Sequence, residues 1–83
     1  MDNGSCARLR IGIKFDPLAV RIAVYDVAGR VVCVLRDEAM DGGRHEVVWN
    51  GKNGNNTTAA PGIYFCRLVA GDFVQTRKMV LLR

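Results

Sequence analysis

Residues 8–15 read RLRIGIKF, with Leu9, Ile11, Ile13 and Phe15 apolar and Arg8, Arg10, Gly12 and Lys14 between them. A repeat of two puts successive side chains on opposite faces of an extended chain, so such a stretch buries one face only as a strand. The same period returns along the chain. Val20, Ile22 and Val24 share one phase, with Arg21 and Tyr25 on the other and Ala23 between them. Residues 30–36 make a third run, and 44–49 a fourth in which His45, Val47 and Trp49 share a face. A fifth covers 62–70, with Tyr64, Cys66 and Leu68 in phase, and a sixth covers 73–82. No stretch keeps a helical period for ten residues.

The intervals carry turn chemistry. Asp16 and Pro17 end the first run, because proline cannot donate to a strand ladder. Residues 26–29 end in Gly29, which is free to take positive φ. Residues 37–40 are helix formers, but 41–43 read Asp-Gly-Gly and stop any helix, so 37–43 is expected to be a loop. Residues 50–62 hold four Asn, three Gly and a Pro. Gly71-Asp72 suits a two-residue hairpin with glycine first.

Six short strands with short connections imply an all-β domain, a sandwich rather than a barrel. The expected core is Ile11, Ile13, Ile22, Val24, Val32, Val47, Trp49, Tyr64, Leu68, Met79 and Leu81. At 83 residues there is room for one domain, expected over residues 8–83, with 1–7 a loose N-terminal segment.

Composition narrows the function classes. The longest apolar run is five residues, 31–35, against the roughly 20 that a membrane helix needs, so no membrane insertion is expected. The first five residues lack the basic-then-apolar plan of a leader, so no signal peptide is expected. Net charge is +4, but the cations alternate along strands rather than clustering on a helix, loop or arm, which argues against nucleic acid. Three cysteines, Cys6, Cys33 and Cys66, lie far apart, with one His and no CxxC. That is neither a zinc set nor a disulfide framework. By their phases, Cys33 and Cys66 are expected on opposite sheet surfaces, with Cys6 the one reactive thiol.

Catalytic constellations are poor. Ser5 is the only Ser and His45 the only His, and the former sits in the loose start. Cys33 and Cys66 lie inside strand patterns, where a thiol is usually a small hydrophobe. Asp37, Glu38 and Asp41 read as a solvated acidic patch. The loop holding Asn50, Asn53 and Asn55 has no carboxylate, so turn geometry accounts for it better than calcium. No phosphate-binding glycine motif occurs. The expectation is no enzyme, no cofactor, no metal and no small-molecule substrate.

Three segments together carry a resemblance: VRIAVYDVAGR (20–30), GRHEVVWNG (43–51), and PGIYFCRL (61–68) followed by TRKMVLLR (76–83). In this order and spacing the chain resembles the FlgD-type immunoglobulin-like domain. It is also similar to C-terminal sorting domains of bacterial secreted proteins, including type IX secretion cargo. The match covers roughly residues 13–83. It implies a small immunoglobulin-like β-sandwich of six to seven antiparallel strands. Gly29 would close a tight turn, Trp49 would anchor the core, Gly51 would bend the chain away, Gly62 would start a strand and Tyr64 would pack inward. Lys78, Val80 and Leu82 would form a terminal strand facing a partner. The partner implied is protein: secretion machinery or an assembly partner. The resemblance implies a non-catalytic C-terminal module of an exported bacterial protein, reaching the cell surface or medium through the periplasm and acting as a secretion or assembly signal. Its alternative is a structural protein-binding domain of a flagellar hook-capping or adhesive assembly. Asn50 and Asn53 stand where such domains often carry carboxylates, and Cys33 and Cys66 where a polar residue and an aromatic are common.

Overall fold

A computed structural model describes residues 7–13 and 18–81. The Asp16–Pro17 break, the end of the first run at Phe15, and Ser5, Cys6 and Leu82 lie outside the described residues. Alternation drives the described chain into six strands: β1 (Ala7–Ile13), β2 (Leu18–Tyr25), β3 (Val31–Met40), β4 (Gly43–Trp49), β5 (Gly62–Ala70) and β6 (Phe73–Leu81). β1 pairs with β4, and the other four form a sheet in the order β3-β2-β5-β6, every pair antiparallel. The result is the expected all-β immunoglobulin-like sandwich.

The registers fix which side chains meet. Val20, Ile22 and Val24 of β2 stand level with Ala70, Leu68 and Cys66 of β5. Tyr64 in turn stands level with Met79 of β6. Against this face the small sheet brings Ile11, Ile13, Val47 and Trp49, and all of these residues are buried. Ten of the expected core residues are therefore in place, joined by Val20, Met40, Cys66 and Ala70.

β3 departs from expectation in three ways. Residues 37–40 form strand, not loop, because β2 supplies partners: Leu18, Ala19, Val20 and Arg21 pair with Met40, Ala39, Glu38 and Asp37. Local helix preference loses to a ladder and to burial of the Met40 side chain. Second, the register slips twice, between Ile22 and Ala23 and between Val24 and Tyr25, which leaves Leu35 and Val32 as the extra residues. Val32 is consequently half-buried rather than in the core. Third, each slip reverses the phase of the residues beyond it. Cys33 pairs with Val24, as Cys66 does from the other side, so both thiols lie on the core face and not on opposite surfaces. They are two strand spacings apart, about 9–10 Å, beyond the reach of a disulfide, and both are free.

Candidate functional site

Trp49 ends β4 and Tyr64 sits near the start of β5. Their rings meet edge to face, centroids 5.0 Å apart at 65°. Trp49 is 1% exposed, and its indole N–H donates to the Lys52 carbonyl at 2.9 Å. The Tyr64 hydroxyl donates to the Ala60 carbonyl, four residues upstream, at 2.6 Å. That is the tyrosine-corner geometry of sandwich domains, which ties a strand start to the loop feeding it. Both polar tips are thus satisfied in the interior, as burial requires.

The expected glycines lie at chain reversals. Gly29 has φ 85° and donates to the Asp26 carbonyl at 3.0 Å, closing the β2–β3 turn. The Asp26 carboxylate accepts the Ala28 and Arg30 amides, each at 2.9 Å, and the Arg30 guanidinium at 3.0 Å. The Arg30 amide above all holds this carboxyl below its usual range. Gly51, two residues after Trp49, has φ 77°, and its carbonyl accepts the Ala59 amide at 2.8 Å. Gly62 opens β5. Gly71, with φ 61°, leads the β5–β6 hairpin.

The 50–60 loop is organised by Asn53, one of the three asparagines read from the sequence as turn formers. The Asn53 side-chain oxygen accepts the amides of Asn55 at 2.8 Å and Thr57 at 3.0 Å. The Asn53 backbone amide donates to the Thr57 carbonyl at 2.8 Å, and its carbonyl accepts the Asn56 amide at 3.0 Å. Asn50 similarly accepts the Lys52 amide. These asparagines hold a turn. Gly54 then donates to the Val32 carbonyl at 2.9 Å, docking the loop on the outer edge of β3.

Among the described residues, the chemically reactive candidates His45, Cys33 and Cys66 are not brought into a catalytic array. The His45 ring Nε2 bonds the Asp41 carbonyl at 2.7 Å. Burial pushes the Cys66 thiol up to about 11, and burial also raises Cys33. Both are held as neutral thiols rather than nucleophilic thiolates. Among the described residues, no group of three or more His, Cys, Asp or Glu is placed to hold a metal ion, and no helix is long and apolar enough to cross a membrane.

The face of the large sheet turned away from the core is different. Register places Val80 level with Ile63, Lys78 with Phe65 and Tyr25, Thr76 with Arg67 and Ala23, and Val74 with Val69 and Arg21. Val80 is 56% exposed, Val74 48%, Val34 45% and Ile63 41%. Tyr25, Phe65 and Val69 lie half-buried among them. Arg21, Arg67 and Lys78 stand on this face against Asp37, so the apolar surface sits in a positive field. Lys78 and Val80, expected to face a partner, are both on it and exposed. Tyr25 was expected on the face away from Val20, Ile22 and Val24; Val34, Ile63 and Phe65 were not anticipated on it. β5 is apolar in both phases, so periodicity alone does not say which set points out.

Comparison with known proteins follows this geometry. The model of the FlgD Ig-like domain family matches residues 7–72. Among solved structures, the crystal structure of FlgD from P. aeruginosa superposes with a TM-score of 0.74 at 19% sequence identity, covering 98% of this chain. The chain spans 64% of that protein's length. No curated protein matches. The family is a structural one, and no enzymatic family is indicated. The two-sheet architecture, the anchored Trp49 and Tyr64, and a family match over most of the sequence agree: this chain belongs to the FlgD Ig-like domain family.

Proposed function

We propose that this chain is a structural, protein-binding immunoglobulin-like module that works in an assembly of the flagellar hook-capping kind. The observation that carries the reading is the outward face of the large sheet. Val34, Ile63, Val74 and Val80 expose apolar surface on the same face as Tyr25 and Phe65, and among the described residues no other layer lies over them. Exposed apolar side chains gathered on one sheet face, interspersed with Arg67, Thr76 and Lys78, make the kind of surface that binds protein. Family membership supports the assembly reading better than the sorting-signal reading. Export to the cell surface as part of a larger protein accompanies the proposal, because hook-capping work is done outside the cytoplasm.

Site-specific photo-crosslinking tests it. A photoreactive residue at Val80 or Ile63, in the native host, is expected to give adducts with other structural components of the assembly. Adducts confined to an outer-membrane translocation component would overturn this reading in favour of a sorting signal.

A further inference from the structure

The two edges of the large sheet are built differently. The β3 edge is broken by two register slips, and the 50–60 loop docks on it through Gly54 and the Val32 carbonyl. The β6 edge has neither protection. Its register against β5 runs without a slip through nine pairs, from Gly62↔Leu81 to Ala70↔Phe73. Among the described residues, no strand or loop pairs with its other side. A long, regular edge without proline, bulge or cover is a template for a further strand. It is also apolar at both ends, with Phe73, Val74 and Val80 all exposed.

The centre of the strand selects what can pair there. Arg77 and Lys78 are consecutive, so they point to opposite faces and a partner strand meets a cation on each side. Both are exposed. A second copy is the obvious candidate, but full-length antiparallel pairing of β6 with itself sets Arg77 opposite Arg77 of the copy. Like charges directly across a ladder oppose pairing. An acidic pair on a different chain is attracted at both positions.

We infer that β6 is a strand-addition site for an extended segment of another protein, with two consecutive acidic residues at its centre and β-branched residues on either side. This deepens the protein-binding reading and rests on it. Backbone hydrogen bonds to the free edge supply the pairing, and the acids opposite Arg77 and Lys78 set register and choice of partner.

The test uses a nine-residue peptide with two central glutamates flanked by valine and threonine, and a twin with two central lysines. Hydrogen exchange is followed by NMR on the full chain. The glutamate peptide is expected to protect every second amide of Phe73–Leu81, because only alternate N–H groups point away from β5. It should bind about tenfold or more tighter than the lysine twin. The double variant Arg77→Glu/Lys78→Glu, on exposed positions, should keep its thermal midpoint and reverse that preference. Equal binding of both peptides, protection elsewhere than β6, or no binding at about 1 mM peptide would overturn the inference. So would a dimer of the chain alone that protects the same amides, which would assign the edge to a second copy. If Val80 still cross-links to assembly components while β6 ignores the glutamate peptide, strand addition fails and the protein-binding module stands. If both fail, the module reading falls with it.

Discussion

Tyr64 packs its ring on Trp49 and spends its hydroxyl on the Ala60 carbonyl, so one residue joins the core to the loop that enters β5. Tyr64→Phe keeps the ring and removes one buried bond. The expected cost is about 1 kcal/mol, or roughly 4–8 °C in Tm for a domain of this size. Trp49→Ala removes the largest buried side chain and orphans the Lys52 carbonyl, at an expected cost of about 3–5 kcal/mol. Urea melts of both variants check the ranking; a Trp49→Ala protein as stable as the parent would contradict the anchor role. Cys66 gives a pH prediction. Its folded pKa, at about 11, lies above that of an exposed thiol, so the folded state holds the proton longer than the unfolded chain. Stability is fully present below about pH 8.5 and falls as pH rises toward the folded value. Cys66→Val should flatten that alkaline decline. In native thiol titration Cys66 should stay silent until the protein unfolds.

At the scale of elements, all six strands were legible as extended runs between turn residues, with β1, β2 and β4 alternating most cleanly. The phase and the far end of β3 were not, and the reason is physical. Its two slips add Val32 and Leu35, and each slip inverts the phase, so Cys33 arrives on the core face. Bulges of this kind depend on β2 alongside and on the loop docked through Gly54, which are long-range partners that local pattern does not contain. The extension of β3 to Met40 has the same origin, since β2 begins far enough upstream to pair with it. The loop itself was legible as turns but not in its wiring. Asn53 accepts two amides there, so Asn53→Ala should loosen the loop and expose the Gly54 amide. Hydrogen exchange at Gly54 is expected to quicken by tenfold or more, with the β2–β5 amides unchanged; unchanged exchange at Gly54 would remove Asn53 from that role.

For the whole molecule, the sandwich was readable from strand spacing, and the family from three short segments whose residues prove to be turn closers, core anchors and strand starts. The binding surface was only partly readable. Lys78 and Val80 were anticipated from the terminal strand, whereas Tyr25, Val34, Ile63 and Phe65 join them only once β2, β3 and β5 are laid side by side. A small domain that already buries Trp49, Ile22 and Leu81 in one core has no folding need for a second apolar face. The account therefore separates fold from function on the two sides of one sheet. The double variant Ile63→Gln/Val80→Gln, which removes both apolar side chains without setting like charges across the ladder, tests that separation most directly, through its Tm and its co-purification with assembly components from the native host. The account predicts a Tm within about 2 °C of the parent, since exposed substitutions cost little, together with loss of co-purification. Full retention of the partners, or collapse of the fold, would contradict it.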